Sequence, residues 1–422
     1  MATDRRQCIG RAQNLDLYGI TIDHGTGHRM TDTEGRTYID FLSAASSMPL
    51  GYGRQDLIDA YVAQCHKVPH TCTVYTDTEI VHEYARRLTA TSGIERAKLL
   101  YGAFGSDAID AALKCARAYT GKRRFLAFER SYHGGGFLSL AASGFPNMKE
   151  GLSLSDSFTH LPYPDRSRWD RELSSLEAEL RSGDVACLLM ETILGDGGVV
   201  ETTDEFFAAV LPLLHQHGAI LVLDEIQTGI GRTGTFWAYE RYGITPDLFC
   251  AGKALGGGYV PLSACIGKPE IIDSLKEAQG AFTFAGHAAS CAVGLALLDA
   301  FNRENILANV RSQSELLRST LQAGLTNNPL FAEVRGRGLL LGVSLRSNHS
   351  IGPVIGLRCL ERGLYLGYYG QQNNVLRVHP HLNIDTQTAI DGATILVEAM
   401  RDVASDPSHF LGERTFKSFF SR

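Results

Sequence analysis

The stretch DLFCAGKALGGGYVPLSACIG, residues 247–267, decides how this chain reads. An apolar run, Leu248–Ala251, leads to Gly252 and Lys253; glycines at 256–258 and a second apolar run follow. Burying an ammonium is costly. The lysine at the end of that strand therefore needs a partner from elsewhere in the chain, or it is a solvated loop residue.

Working outward, strand-like and helix-like segments alternate. KLLYGA (98–103) precedes the helical SDAIDAALKCARAYTG, and RFLAFE (124–129) follows it. VACLLME (185–191), a helix near 204–217, AILVLDE (219–225) and DLFCAG (247–252) continue the pattern. Apolar strands this continuous predict a parallel sheet covered on both faces, hence an α/β class. The ends differ. Residues 19–50, with HRMTDTEGRTYIDFL, predict hairpin strands around a turn at Glu34-Gly35. From about 305 a long helix, VRGRGLLLGVSL, a helix near 352–362 and VLRVHP predict a smaller α+β lobe. The expected division is a large domain over 56–304 and a small one from 1–55 and 305–422.

The 422 residues are 44 % apolar and 20 % charged, an ordinary globular balance. A formal net charge of −6, with basic residues scattered, gives no expectation of nucleic acid. The start MATDRRQCIG has no apolar segment behind its arginines, and no apolar run nears the roughly 18 residues of a bilayer span. Nine cysteines without a C-x-x-C pair argue for reduced thiols, a cytoplasmic setting and no metal site.

Ligands of open α/β sheets bind at the carboxyl ends of the strands. There lie Gly105-Ser106, Glu191, Asp224 and Lys253. In GAFGSDAIDAALK the Gly105-Ser106 pair offers backbone N–H groups at a helix start, with a hydroxyl as further donor. The alternative is an ordinary Ser N-cap. In AILVLDEIQTGIGRTG, Asp224 could hold a protonated ring nitrogen and Gln227 a neighbouring ring oxygen; the alternatives are a helix cap or a magnesium-binding acid. No G-x-x-x-x-G-K-[ST] is present, so the nucleotide reading lacks its phosphate loop. In SYHGG an exposed Tyr132-His133 suits stacking on a flat ligand, or plain packing. A lysine beside an aldehyde cofactor need not be an ammonium, since it can form a Schiff base.

With LVLDEIQTGIGRTG followed by PDLFCAGKALGGGYVPLSA, the chain resembles the class III aminotransferases, enzymes of the pyridoxal-phosphate (PLP) transferase fold type I. The resemblance runs from GRTYIDF (35–41) to VLRVHPHL (375–382). It implies a mostly parallel seven-stranded sheet in the large domain, PLP as cofactor, and amino-group transfer from an amino acid or amine to a 2-oxo acid. By the same resemblance Lys253 forms the Schiff base, Asp224 pairs with the pyridinium nitrogen and Gln227 lies near the ring hydroxyl. Gly105 and Ser106 match the phosphate cup; Tyr132 matches the ring stacker with His133 beside it, and Asp107 and Glu191 join the cofactor-binding set. Thr283, in AFTFAGH, matches the threonine that reaches the neighbouring subunit's phosphate, implying a homodimer. Arg377 matches the arginine that receives a substrate carboxylate.

The chain departs from that pattern. Thr192 replaces the usual proline after Glu191, His287-Ala288 the usual Asn-Pro, Pro380-His381-Leu382 the usual Pro-Pro-Leu, and GYGRQDL the usual GH-x-HP. Asp196, in ETILGDGG, stands where many members carry a glutamate that pairs with the carboxylate-binding arginine and releases it. GSDAIDAALKCARAYTG, HLPYPD and ETILGDGG are also similar to the isoleucine 2-epimerase type of racemase, in which an aspartate at this place is proposed to act with the lysine. Asp196 is thus either a partner of Arg377 or a second acid/base group. Transamination is the primary expectation and epimerisation the alternative. A PLP-fold protein without turnover is the reading of a different class, and Lys253 together with Asp224 argues against it. Tyr18 and Tyr75 are candidates for the pocket wall or for packing.

Overall fold

The computed structural model describes residues 8–13, 18–346, 350–370 and 372–406. Three short N-terminal strands, β1 (Ile22–Thr26), β2 (Arg29–Asp32) and β3 (Thr37–Asp40), open the chain. The expected turn joins β2 to β3: Asp32 Oδ1 accepts from the backbone N–H of Glu34 and of Arg36, and Gly35 takes φ +83°. The strand character expected up to residue 50 stops at Asp40. Ser43 to Ser46 form a left-handed turn, with φ between +47° and +76°, rarely adopted by non-glycine residues. Asp40 Oδ1 holds it by accepting from Leu42 and Ser43 N–H, and Ser43 Oγ donates to the His379 carbonyl.

The apolar runs then build a seven-stranded sheet. It contains β4 (Lys98–Gly102), β5 (Arg124–Phe128), β6 (Phe158–Leu161) and β7 (Val185–Glu191); a two-stranded ribbon, β8 (Ile193–Leu194) and β9 (Val200–Glu201), follows β7 in the chain. The sheet is completed by β10 (Ile220–Asp224), β11 (Leu248–Ala251) and β12 (Ser263–Gly267), in the order β4-β12-β11-β10-β7-β5-β6. Only β12 runs antiparallel to its neighbours, so the mostly parallel sheet expected from the sequence is what forms. All seven residues of β7 are buried, which accounts for its unbroken apolar run. Register matters for function: Asp224 pairs with Glu191 on one side and Cys250 on the other, so β7, β10 and β11 end side by side.

The C-terminal layer holds β13 (Phe331–Arg337), β14 (Leu340–Leu345), β15 (Leu364–Tyr365), β16 (Gly367–Tyr369) and β17 (Val375–Val378). An antiparallel sheet, β13-β14-β17-β16, packs with helices over Ile306–Leu325 and Gly352–Glu361, and a helix over Thr386–Ser405 lies against both. β15 pairs in parallel with β3, bringing the two ends of the chain into one sheet. No helix among the described residues is long and apolar enough to cross a membrane.

Candidate active site

At the carboxyl edge of the seven-stranded sheet, a narrow cleft of about 180 Å³ collects residues from six segments of the chain. Lys253 enters it directly after β11, in the left-handed region at φ +45°. Gly252 before it is extended, at φ −172°, and packs beside Ile226 and the Gly105 backbone. Burial holds the Lys253 amine below its ordinary value; Arg377 adds to that, while Asp196, Asp224 and Glu191 oppose it. The acids sought for this lysine thus lie in the same cleft, Asp196 foremost among those that oppose the effect of burial.

Asp224 closes β10. Its Oδ1 accepts from Ile226 N–H at 3.0 Å, and its Oδ2 lies 2.7 Å from His133 Nδ1. His133 is 2 % exposed, against the expectation of an exposed Tyr-His pair. The glycines after it let the chain fold back, and its backbone N–H donates to Ser143 Oγ at 2.9 Å, which seats the ring on Asp224. Its Nε2 is buried without a partner among the described residues. Glu191 ties two loops together: Oε1 accepts from Tyr132 N–H at 2.8 Å and Oε2 from Gly195 N–H at 2.9 Å. Burial, with the adjacent Asp224 charge, pushes its carboxyl up to about 8.

Ser106 is not the N-cap that the simpler alternative required. The helix begins at Gly105 with Phe104 as its cap, and Ser106 Oγ accepts from Gly136 N–H at 3.3 Å. Around that hydroxyl the backbone is close: a Cβ on Gly134 would lie 2.4 Å from Ser106 Oγ. Asp107, grouped with the cofactor-binding residues from the sequence, does not line the cleft. Its Oδ2 accepts from Ala103 and Phe104 N–H at 2.9 Å each, so it closes the turn that presents Ser106. An acid three residues into a helix is well placed for that task.

A second cluster joins the cleft from the C-terminal layer. Arg377, 1 % exposed on β17, donates from Nη1 to Asp196 Oδ1 at 2.6 Å and to Gln227 Oε1 at 3.2 Å. Gln227, expected at a ring oxygen, thus has its own carbonyl engaged by the arginine. Gly195 makes room for it, because any Cβ there would overlap Gln227 Oε1. The Tyr369 ring lies under the guanidinium, 3.5 Å from ring centre to Cζ. Burial pulls Arg377 down, but Tyr369 and Asp196 reverse this and hold it charged. Sequence reasoning missed Ile226 and the Gly134-Gly135 wall of the cleft, and Tyr369 under Arg377. For Ile226 a signal existed, two residues beyond Asp224 on the same turn. Tyr369 sits on a short strand whose pairing with β17 no local pattern reveals.

Thr283 is exposed and outside this cleft. Tyr18 belongs to packing: its hydroxyl donates to the Leu366 carbonyl at 2.6 Å and its ring meets Tyr365 and Tyr368 edge-on. Tyr75 is 84 % exposed and lines no part of the cleft.

The donor set fits PLP. A hydroxyl, helix N-terminal amides and a glycine cradle suit a phosphate, and Asp224 suits a protonated ring nitrogen. Tyr132 and Ile226 offer an aromatic and an aliphatic surface, and Lys253 an amine in the same cleft. Comparison with known proteins agrees. The family model for class-III aminotransferases matches residues 11–400. The chain is 33 % identical to a leucine/methionine racemase from Thermococcus litoralis over 399 residues, covering 89 % of each chain. It is 34 % identical to an acetylornithine aminotransferase from Neisseria meningitidis, covering 91 % of this chain and 95 % of that one. Among solved structures, the ornithine aminotransferase of Toxoplasma gondii, which holds PLP at partial occupancy, superposes with a TM-score of 0.86 at 26 % identity, covering 94 % of each. The chain belongs to the class-III aminotransferase family of PLP-dependent enzymes.

Proposed function

We propose that the enzyme moves an amino group from a carboxylate-bearing amino acid to a 2-oxo acid, with Lys253 as the proton-moving group and Arg377 as a carboxylate receptor that Asp196 occupies between substrates. The Asp196–Arg377 pair, 2.6 Å apart, with Asp196 lining the cleft that holds Lys253 and Arg377 buried behind it, carries this reading. A transaminase must accept two substrates in turn at one site. An internal carboxylate that can leave the arginine keeps it neutralised while the site is empty and frees it for the substrate carboxylate in each half of the cycle. The Tyr369 ring supports the exchange by fixing the guanidinium plane whichever carboxylate is present.

PLP, when bound, supplies the electron withdrawal that makes the substrate Cα–H acidic. The chain does the rest. Gly105, Ser106 and the Gly134-Gly135 backbone would hold the phosphate, and Asp224, backed by His133, would keep the ring nitrogen protonated. Lys253, its amine pulled below the ordinary value by burial, is suited to take the Cα proton and to deliver it to an atom other than Cα, on the far side of the substrate nitrogen. Glu191 keeps the Tyr132 and Gly195 loops in register with each other. The proposal also includes a homodimer in which Thr283 reaches the neighbouring active site, a cytoplasmic setting, and a division into residues 56–304 and residues 1–55 with 305–422.

A second reading, epimerisation, is favoured by the racemase relative and by Asp196 sharing the cleft with Lys253. It requires Asp196 to return a proton to the opposite face of Cα, whereas its Oδ1 is engaged by Arg377. Incubating the holoenzyme with single amino acids in deuterated water, without any 2-oxo acid, separates the two. Transamination releases up to one equivalent of 2-oxo acid per active site. Epimerisation gives Cα deuteration and loss of optical purity without 2-oxo acid, and that result would overturn the proposal.

A further inference from the structure

Next to the Asp196 loop lies a second, larger cleft of about 790 Å³. Asp196 faces the Lys253 cleft, and its neighbour Gly197 lines this one. The far wall is β13, so the cleft runs between the loops of the seven-stranded sheet and the C-terminal layer.

Its walls carry five arginines and three carboxylates, and the carboxylates are poorly matched to the cations. Asp165 is taken by Arg168, which is not in the cleft, at 3.0 Å. Glu201 is shared by Arg166 at 3.1 Å and Arg337 at 2.6 Å, one negative charge for two positive ones. Arg318 meets no carboxylate: its guanidinium donates to the carbonyls of Val334 at 2.9 Å and Gly336 at 2.6 Å. Arg335 gives Nε and Nη2 to the Gly198 carbonyl, at 2.9 and 2.6 Å, and meets only the exposed Glu333, at 3.4 Å. Arg130 is half-buried, and among the described residues its guanidinium has no acceptor. Its charge adds to burial in lowering Arg335, so the two cations feel each other.

Two arginines in one sheltered cleft, with no acid shared between them, form an arrangement that carboxylate or phosphate oxygens satisfy by paired N–H donation. We propose that this cleft binds a small, multiply charged anion bearing carboxylate or phosphate groups, gripped by Arg130 and Arg335. The ligand would connect β13 to the Gly197-Gly198 loop. That loop holds Asp196, whose carbonyl accepts from Gly370 N–H at 3.2 Å. The site uses neither Lys253 nor Arg377 and stands apart from their proposed roles.

Calorimetric titration of the PLP-loaded enzyme tests it, with inorganic phosphate and citrate as separate probes. The loaded enzyme is used so that the phosphate cup is filled. At least one probe is expected to bind once per chain, with affinity falling as salt is added. Arg130→Gln is expected to weaken it at least tenfold, and Arg166→Gln, at a residue 65 % exposed and farther from the grip, about threefold. Arg377→Gln should leave the affinity unchanged. Phosphate and citrate differ in which oxygens they present, and the tighter probe names the group recognised. If Arg130→Gln does not fold, Arg166→Gln alone decides. No binding at millimolar probe, unchanged affinity in the arginine variants of the cleft, or loss of binding in Arg377→Gln instead would each overturn the proposal.

Discussion

The floor of the active site and its carboxylate corner are built in opposite ways. The floor, Glu191, Asp224 and Lys253, comes from three adjacent strand ends whose register puts the functional groups side by side. The corner, Asp196, Arg377, Gln227 and Tyr369, comes from loops and a short antiparallel pair, with its ion pair spanning 181 residues of chain. A floor assembled by sheet geometry serves any substrate alike. A corner assembled by loops can be altered without disturbing the sheet, which suits it to substrate choice.

The largest expected effect lies in the floor. Lys253→Ala should lower turnover at least about a thousandfold for every substrate, since a positioned proton-transfer group is lost. A variant that fell for carboxylate-bearing substrates alone would break the distinction between the two regions. Next comes the corner. Arg377→Gln leaves Asp196 buried without its cation, and truncating one partner of such a pair costs roughly 3 kcal/mol. The KM of carboxylate-bearing substrates should rise about a hundredfold, while a simple primary amine changes little. Steady-state kinetics on both substrate types checks this. A smaller effect is expected at Tyr369: Tyr369→Leu removes a cation–π contact worth about 1 kcal/mol, raising the same KM about fivefold with kcat kept, and Tyr369→Phe should restore it.

The mildest expectation returns to the floor. Burial, with the Asp224 charge beside it, pushes the Glu191 carboxyl up to about 8 in the folded chain, well above the ordinary carboxylate range of about 4. Between those values the folded state keeps a proton that the unfolded chain has lost, so this group makes stability fall as pH rises through that window. Glu191→Gln should flatten the change of Tm between about pH 5 and 8. An unchanged slope would mean the carboxyl is ionised throughout, stabilised by its two backbone donors.

The same contrast explains what could be read in advance. Lys253 and Asp224 follow apolar runs long enough to be recognised as buried strands, and the parallel course of those strands follows from the alternation with helices. Ser106 lines the cleft one step inside its helix, and whether a serine caps a helix or sits just inside it is a matter of one residue that sequence alone does not resolve. His133 was expected outside, since nothing local shows that Asp224 lies beneath it. Gln227 and Tyr369 depend on where Arg377 arrives, and that is set by the pairing of β14, β16 and β17. Asp107 shows the converse: it lies next to the right residues but turns its carboxylate to the backbone. The left-handed turn at Ser43 to Ser46 owes its conformation to Asp40 and to His379, more than 300 residues away. The arginines of the second cleft are scattered along the chain and form no motif.

The central claim is that Asp196 occupies the carboxylate receptor and is not a proton donor to Cα. Asp196→Asn, examined in a single turnover with two donors, tests it most directly. With a carboxylate-bearing amino acid, binding should tighten or hold because the competing carboxylate is gone, and the release of 2-oxo acid should slow less than about tenfold. With a primary amine lacking a carboxylate, binding should weaken, because Arg377 is then left without a counter-charge. Equal and large loss of Cα–H exchange with both donors would contradict the account and make Asp196 a proton-transfer group.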